Sequence, residues 1–268
     1  MTKPGAFRRI TSFSNPAIKD IRSLSVKKFR DRAGLFLAEG HKLARDALDA
    51  GWPIETLVMT EGGSDAMLST AARARAAGAT IVETTPAIME TIVRKENAQP
   101  MAGVFRQRFA ALDEGTVAPG TIWVALEGPR DPGNVGTILR TVDGLGAGGV
   151  ILVGASVDPF GIEAVRASMG SIFHVPLARA SLEAFSAWRQ GFGGAVYGTH
   201  LDGRIDARGF RPRRPAVILM GTEQSGLTDA AVRLCDGLVR IPMGGAADSL
   251  NLAIATAIVL YEAQRDAL

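Results

Sequence analysis

The stretch TIWVALEGPRDPGNVGTILRTVDGLGAGGVILVG, residues 121–154, decides the fold. Its opening apolar run predicts a strand over Thr121–Leu126, and the apolar spacing that follows predicts a helix over Val135–Leu145. A second apolar run predicts a strand over Gly149–Val153. Two strands joined by a helix through short loops are typical of a parallel sheet. The stretch therefore predicts an α/β fold.

The same alternation continues to the end of the chain. After residue 154, the sequence predicts helix Ile162–Met169, strand Phe173–Val175, helix Leu182–Gln190, strands Ala195–Thr199 and Ala216–Met220, helix Asp229–Cys235, strand Leu238–Pro242 and a long helix from Ser249 to about Arg265. Continuously apolar strands are expected where helices cover both faces of a sheet. Ligands of such sheets bind beyond the carboxyl ends of the strands, so we expect a site in the loops after residues 126, 199, 220 and 242.

A separate series precedes residue 110. Asn15-Pro16 opens a helical pattern that continues through Ile18, Ile21 and Leu24. It is followed by strand Leu35–Leu37, helix His41–Ala50, strand Ile54–Met59, helix Asp65–Ala77, strand Thr80–Val82, a short helix over 86–95 and strand Gly103–Phe109. Residues 110–120 contain Gly, Pro and acidic residues without periodicity, which indicates a linker. We therefore predict a small α/β domain over 1–109 and a larger one over 121–268.

Composition excludes several classes of protein. The 268 residues are 47% hydrophobic and 21% charged, which is globular and excludes wholesale disorder. A single cysteine, Cys235, excludes a disulfide framework, and the three histidines have no metal-binding spacing, so we expect no metal. No apolar run is long enough to span a bilayer, and the N-terminal segment lacks the apolar core of a signal peptide. We expect a soluble, cytoplasmic protein without a membrane partner.

Positive charge is concentrated near the N-terminus. Met1–Arg45 contains 11 Lys or Arg and three acidic residues, a local charge of +8, whereas the remainder contains 19 basic and 24 acidic residues. A basic segment on a mildly acidic body favours a polyanionic partner, above all a nucleic acid, because cations that neutralise phosphates release condensed counterions. A solvated surface helix in an arginine-rich protein would give the same pattern. Charge alone leaves both interpretations open.

Three of the expected site loops are rich in glycine and polar residues: EGPRDPGN at 127–134, GTEQSG at 221–226 and PMGGAAD at 242–248. Glycine lets the backbone approach a ligand, and a loop that leads into a helix carries unpaired donors. Taken singly, such residues are more often structural than catalytic. Ser249 could cap the last helix, and Arg140 could pair with Glu223.

Other enzyme motifs are absent or misplaced. GLGAGG at 144–149 resembles part of a dinucleotide fingerprint, but it lies between a helix and a strand instead of between a strand and a helix. The sequence has no P-loop, and Cys235 and His200 belong to no nucleophile–base set. A nicotinamide-dependent enzyme and a covalent hydrolase are therefore disfavoured.

Residues 127–154, 218–227 and 241–265 resemble, in order and spacing, the three signature motifs of the SpoU/TrmH branch of the SPOUT RNA methyltransferases. Residues 14–48 are similar to the substrate-binding domain often joined to that fold. The resemblance covers nearly the whole chain and is weaker between 50 and 120. It implies a parallel-sheet SPOUT catalytic domain with a C-terminal trefoil knot, preceded by a small α/β (L30e-like) RNA-binding domain.

The resemblance also implies an activity. The family transfers a methyl group from S-adenosylmethionine to a ribose 2′-hydroxyl of ribosomal or transfer RNA, and the N-terminal domain favours ribosomal RNA. It works as a homodimer in which both subunits contribute near the site. The motif positions imply cofactor contacts, mainly through the backbone, from Thr199, Gly221, Ile241, Met243 and Leu250. They imply catalytic roles for Asn134, Arg140, Glu223, Ser249 and Asn251.

The chemistry of methyl transfer suits these residue types. A ribose hydroxyl is a poor nucleophile, so the enzyme must orient the oxygen and stabilise the negative charge that grows on it. A guanidinium rarely loses its proton, so we expect Arg140 to stabilise charge and hold phosphate. The two asparagines and Ser249 would orient Arg140 and the nucleotide, and Glu223 would hold the loop or the arginine. The alternative hypothesis is a non-catalytic RNA-binding or ribosome-assembly factor that retains the fold.

Overall fold

A computed structural model describes residues 4–113 and 115–268, so Lys3 of the basic segment lies outside the described residues. The strands are β1 Phe7–Arg9, β2 Leu35–Glu39, β3 Ile54–Thr60, β4 Thr80–Thr84, β5 Met101–Arg106, β6 Ile122–Glu127, β7 Gly149–Val153, β8 Leu177–Ala180, β9 Ala195–Thr199, β10 Ile205–Asp206, β11 Ala216–Met220 and β12 Gly237–Arg240. The α-helices are α1 Pro16–Ser23, α2 Lys27–Ala33, α3 His41–Asp49, α4 Asp65–Ala76, α5 Pro86–Val93, α6 Pro132–Gly144, α7 Ile162–Ala167, α8 Leu182–Gly191, α9 Asp229–Val232 and α10 Leu252–Gln264. None of these helices is both long and apolar enough to cross a membrane, as far as the described chain goes.

The chain divides into two compact units. The first contains the chain up to Gln107 together with Asp158–Phe173, and the second contains Arg108–Val157 and His174–Leu268. Residues 158–173 therefore pack with the first unit, although the sequence analysis placed them in the second series. Two buried or half-buried ion pairs hold them there. Asp158 accepts from Arg30 at 2.6 Å, and Arg166 donates to Glu39 at 2.7 Å.

The first unit is built on a mixed sheet. Its strand order among the described residues is β1-β4-β3-β5-β2, with β1, β4 and β3 parallel and β5 antiparallel to both of its neighbours. One cluster of buried apolar side chains joins α1 and α5 to the strands and includes Ile18, Ile21, Val82, Ile92 and Val104. This packing leaves the polar faces of α1 and α2 in solvent.

The helical pattern that begins at Asn15 forms two helices instead of one. The Asn15 side chain accepts from the Ala17 amide at 3.0 Å, and Pro16 occupies the first turn, where a missing N–H costs nothing. A turn at residues 24–26 separates α1 from α2, which ends at Gly34 in the left-handed conformation (φ 63°). The turn lets α2 change direction relative to α1.

The second unit is built on a parallel sheet. Its strand order is β10-β12-β9-β11-β6-β7-β8, and every neighbouring pair in the described chain is parallel. The core contains Trp123, Ile151, Phe185, Val217 and Leu219. Because β12, β9, β11 and β6 are neighbours, the loops at their carboxyl ends meet at one edge, as the sequence analysis expected.

The strand predicted over Phe173–Val175 is wrong. Ser171–Phe173 forms a 3₁₀ turn that points Phe173 into the first unit, with its ring 4.8 Å from that of Phe105. The strand begins only after Pro176, which has no N–H to donate to the sheet. The short strands β1 and β10 were not predicted.

Candidate active site

A cavity of about 370 Å³ lies at the carboxyl edge of the parallel sheet. It is enclosed by the loops that follow β9, β11 and β12, three adjacent strands. The five residues predicted to bind a cofactor all line it: Thr199, Gly221, Ile241, Met243 and Leu250. Its volume is that of a pocket for a small ligand.

Gly221 lets the middle loop fold back on itself. Thr222 and Gly226 exchange two backbone hydrogen bonds of 3.0 and 3.1 Å, which close a tight turn. A Cβ at Gly221 would lie 2.0 Å from the carbonyl carbon of Gly226, so no other residue fits without moving the backbone. Gly226 itself has φ 68°, which favours glycine. The shape of this wall of the cavity therefore depends on both glycines.

Some backbone groups of the cavity lining have no partners in the described chain. The amide and carbonyl groups of Gly221, Ile241 and Leu250 form no hydrogen bond with the described residues. Backbone groups without partners are unusual in a folded core, and at a cavity wall they are free for a polar ligand. Met220 and Leu252 add apolar surface to the same cavity. The cavity thus offers both backbone donors and acceptors and an apolar contact.

A polar network lies beside the cavity and joins three of the predicted catalytic residues. Asn134 is buried in the first turn of α6, where its backbone N–H donates to the side chain of the capping residue Asp131 at 3.0 Å. Its side-chain Nδ2 donates to Glu223 Oε1 at 2.9 Å, and its Oδ1 accepts from Asn251 Nδ2 at 2.9 Å. The network ties the loop after β6 to those after β11 and β12.

Asn251 has a second role in this network. Its Oδ1 accepts from the amides of Ala253 and Ile254, at 2.9 and 3.3 Å, and so caps α10. The expectation that Ser249 could cap the last helix is therefore wrong. Ser249 lines the cavity instead, and its hydroxyl has no hydrogen bond within the described chain.

Arg140 lies apart from the other four predicted catalytic residues. It is exposed on α6 and lines a shallow depression with Thr137, Ile258 and Tyr261, outside the cavity. Its side chain forms no hydrogen bond or ion pair with the part of the chain that the structure describes. The pairing of Arg140 with Glu223, which the sequence left open, is not formed.

Sequence reasoning missed two contacts at this edge. Glu127, buried at the end of β6, accepts from the Thr228 amide at 2.9 Å and from its hydroxyl at 2.6 Å, which fixes the far end of the Gly221 loop. Arg130 Nη1 donates to Gln224 Oε1 at 2.8 Å. A lone carboxylate ending an apolar strand was the available signal for Glu127.

The Cys235 thiol is held in its neutral form. Burial raises the pKa of Cys235 to about 12, helped by the nearby Asp236 carboxylate, so the thiol stays protonated at neutral pH. No group of three or more His, Cys, Asp or Glu residues in the described ranges is placed to hold a metal ion.

A parallel sheet with a pocket of backbone groups at its carboxyl edge defines an α/β ligand-binding domain of the kind that holds nucleoside cofactors. The model of the SpoU rRNA methylase family matches residues 121–261, and that of the MRM3-like substrate-binding domain matches residues 15–103. This chain therefore belongs to the SpoU rRNA methylase family. The resemblance and the α/β fold class given by the sequence are confirmed, and the trefoil knot stays a prediction.

Relatives match along nearly the whole chain. A 23S rRNA (uridine(2479)-2′-O)-methyltransferase of Streptomyces viridochromogenes is 33% identical over 97% of this chain and 93% of its own length. A 23S rRNA (guanosine(2553)-2′-O)-methyltransferase of Bacillus subtilis is 30% identical over 95% of this chain and 98% of its own. The crystal structure of an AdoMet-bound rRNA methyltransferase from Sinorhizobium meliloti is 47% identical, covers 98% of this chain and 100% of its own, and superposes with a TM-score of 0.93.

The cavity suits the cofactor that this solved relative holds. S-adenosylmethionine carries a purine, a ribose and an amino-acid group, all rich in hydrogen-bonding atoms, and an apolar chain. The unpaired backbone groups of Gly221, Ile241 and Leu250 offer donors and acceptors for these hydrogen-bonding atoms. Met220 and Leu252 offer apolar contact for the chain. The residues present therefore fit the group.

Proposed function

We propose that this protein methylates a ribose 2′-hydroxyl of ribosomal RNA with S-adenosylmethionine as methyl donor. One observation carries the proposal. In a chain of the SpoU family, a cavity lined by unpaired backbone groups adjoins the network of Asn134, Glu223 and Asn251. The relatives from Streptomyces viridochromogenes and Bacillus subtilis are both named as 23S rRNA 2′-O-methyltransferases, which favours ribosomal over transfer RNA.

The backbone of Gly221, Ile241 and Leu250 holds the cofactor, and Thr199 and Met243 complete the wall. Bound S-adenosylmethionine supplies a methyl group that its positively charged sulfur has already activated. Recognition through the backbone requires no charged side chain and no metal. It leaves Glu223 and the two asparagines available for the RNA side of the reaction.

The polar network positions the nucleotide. Both oxygen and nitrogen of the Asn134 amide are engaged, so its orientation is fixed by Glu223 and Asn251. The Ser249 hydroxyl, which has no partner in the described chain, is free to bond the ribose. Fixed groups of this kind reduce the reorganisation needed when the oxygen approaches the methyl group.

Arg140 supplies positive charge to the reacting oxygen or to a neighbouring phosphate. A guanidinium remains protonated at physiological pH, so Arg140 stabilises charge, and the proton of the ribose hydroxyl passes to water as the oxygen takes the methyl group and S-adenosylhomocysteine leaves. Its lack of any partner within the described residues leaves all five of its donors available. It lies outside the cavity of its own chain, which requires a second chain to complete the arrangement.

The exposed face of α10 supports a homodimer. Ile254, Ile258 and Tyr261 follow one another at helical spacing and are 52%, 37% and 52% exposed. An apolar stripe of this kind is typical of a surface that another protein covers. Arg140 borders the stripe on α6. A second copy seated here would bring Arg140 of one subunit beside the RNA of its partner.

The test is methylation by the purified full chain. With S-adenosylmethionine carrying a labelled methyl group and ribosomal RNA that lacks the modification, we expect label in a ribose-methylated nucleotide. Arg140→Ala should lower the rate about a hundredfold to a thousandfold while cofactor uptake measured by calorimetry stays unchanged. Arg233→Ala is the matched control, since Arg233 is exposed in the same unit and its side chain has no partner in the described chain.

Two results would contradict the proposal at different levels. Full methylation by Arg140→Ala would remove the role assigned to Arg140. No saturable uptake of S-adenosylmethionine by the wild-type protein, with RNA binding retained, would favour the non-catalytic RNA-binding factor.

A further inference from the structure

A groove of about 980 Å³ runs across the first unit between the helix pair α1 and α2 and the sheet. Its apolar floor is formed by the buried side chains of Ile21, Leu24, Val82 and Val104 and the half-buried Leu35, and the half-buried Thr56 and Thr80 add hydroxyls beside it. We call it the α1–α2 groove. No residue of the candidate active site belongs to it.

The rim of the α1–α2 groove carries cations without partners. Arg8, Lys19 and Arg32 are exposed on the rim, and none of their side chains forms a hydrogen bond or ion pair with the described chain. The rim also has two carboxylates, Asp20 and Glu55, of which Glu55 is held by Arg106 outside the groove at 2.6 Å. The rim is therefore net positive.

Two other basic residues of the same helices are neutralised. Lys27 pairs with Asp31 at 2.5 Å, and Arg30 is buried against Asp158 at 2.6 Å. Arg22 and Lys28 are also unpaired in the described chain but lie outside the groove, so the rim cations are set apart by their place around the apolar floor. Unpaired cations around an apolar floor suit a ligand that is anionic at its edges and flat and apolar at its centre.

An exposed aromatic ring completes the rim. Phe29 on α2 is 43% exposed. Duplex RNA presents phosphates and ribose but hides the faces of its bases, so it would leave the ring and the apolar floor unused. An unpaired nucleotide exposes its base, and proteins bind such bases by stacking on aromatic side chains while cations hold the backbone.

We propose that the α1–α2 groove binds an unpaired nucleotide of the RNA substrate. The base packs on Phe29 and the apolar floor, and the flanking phosphates pair with Arg8, Lys19 and Arg32. The inference rests on the proposed function, because that function supplies RNA as the ligand. It adds that recognition by this unit requires a loop, bulge or single strand.

The first test removes the ring. The full chain is titrated with a short single-stranded RNA of mixed sequence and with the same sequence fully paired. We expect Phe29→Ala to weaken binding of the single strand about tenfold, with duplex binding unchanged, and Phe29→Tyr to bind like wild type. Leu68→Ala is the control, because Leu68 is an apolar side chain, 50% exposed, on α4 outside the groove.

The proposal is overturned if Phe29→Ala binds the single strand like wild type, or loses equal affinity for both RNAs. It is also overturned if Leu68→Ala weakens single-strand binding as much. Heparin provides a polyanion without bases. Loss of heparin binding in Phe29→Ala would mean that the ring serves polyanions in general and not a base.

The second test removes charge. Arg32→Gln should weaken single-strand binding several-fold and lower the slope of log affinity against log salt by about 1. Arg22→Gln makes the same charge change on α1, at an exposed residue outside the groove, and should leave the slope nearly unchanged. Equal effects from both variants would mean diffuse attraction and would overturn the phosphate contacts.

Calorimetry of the wild-type protein with S-adenosylmethionine separates this inference from the proposed function. If the cofactor binds and Phe29→Ala behaves like wild type toward RNA, only the groove fails. If the cofactor does not bind while single-strand binding still depends on Phe29, the methyltransferase proposal fails and the groove stands.

Discussion

The cavity of the second unit and the α1–α2 groove of the first present different kinds of chemical group to a ligand. The cavity presents backbone groups at glycine-containing loops, backed by a network of amides and a carboxylate. The groove presents exposed cations and one ring on an apolar floor. Ligand binding in the cavity therefore depends on the path of the chain, whereas binding in the groove depends on separate side chains and on salt. The predictions below test that contrast.

The largest effect is expected where the path of the chain is changed. Gly221→Ala adds a Cβ that would lie 2.0 Å from the Gly226 carbonyl carbon, so the turn between Thr222 and Gly226 must open. Affinity for S-adenosylmethionine should fall about a hundredfold or more, because each 1.4 kcal/mol of displaced contact is a factor of ten. Isothermal calorimetry measures the loss.

Gly193→Ala is the matched control. A Cβ at Gly193 meets nothing within 4 Å, so cofactor affinity and stability should stay close to those of wild type. Cofactor affinity that survives in Gly221→Ala would show that the cavity tolerates a displaced loop, and the contrast between the two sites would be lost.

Strands of the second unit were predictable because buried strands appear in the sequence as short runs of apolar residues. Ala216–Met220 and Ala195–Thr199 were predicted with the bounds that the structure has, since both are short apolar runs between turn residues. The three-residue strand β1 was missed because all its residues are exposed, so it has no pattern of burial. The local pattern of apolar residues therefore predicts a strand only where the strand is buried in the core.

The candidate site was less predictable from pattern alone. Asn134 is 89 residues from Glu223 and 117 from Asn251, and no spacing rule joins residues so far apart. The parallel sheet brought their loops to one edge, but only the family resemblance selected these side chains from the others. Nothing in the sequence indicated that Asp158–Phe173 packs with the first unit, because its anchors, Arg30 and Glu39, lie more than a hundred residues away.

A smaller effect is expected where the network is changed without moving the backbone. Asn134→Asp replaces the amide that donates to Glu223 at 2.9 Å with a carboxylate facing a carboxylate. Repulsion raises the pKa of the pair in the folded state above its unfolded value. The free energy of unfolding should fall by about 1–3 kcal/mol at neutral pH, and methylation should fall with it.

The loss of stability in Asn134→Asp should increase with pH. Because the folded pKa is raised, the penalty is absent below the ordinary carboxyl pKa of about 4 and grows as the pH rises above it. Urea unfolding at several pH values measures it. Asn15→Asp, at the cap of α1, is the control, since aspartate caps a helix as well as asparagine does. A loss that is independent of pH would contradict a carboxylate pair.

Salt is expected to change the ligand affinities of the two sites to different extents. Three rim cations predict that log affinity for single-stranded RNA falls with log salt with a slope of about −2, from about −0.7 for each neutralised phosphate. The cavity uses backbone groups, so cofactor affinity should change less than about twofold over the same range. Titrations of one protein preparation with both ligands make the comparison. Parallel salt dependence would mean that the cavity also binds through exposed charge.

The smallest effect is expected at Cys235, the one thiol of the chain. Its Sγ lies 2.7 Å from the position of a Cβ on Gly198 in β9, so it packs behind the strand that leads to the cavity. Burial raises the pKa of the thiol to about 12, and the group stays protonated and uncharged through pH 9. Cys235→Ala should therefore keep the methylation rate within about twofold from pH 7 to 9, at a cost of about 1 kcal/mol in stability. Initial rates and thermal unfolding check both values. If wild-type activity changed with an apparent pKa near 8.5 that vanished in Cys235→Ala, the thiol would be ionised and within reach of the site, and the cavity would not depend on backbone groups alone.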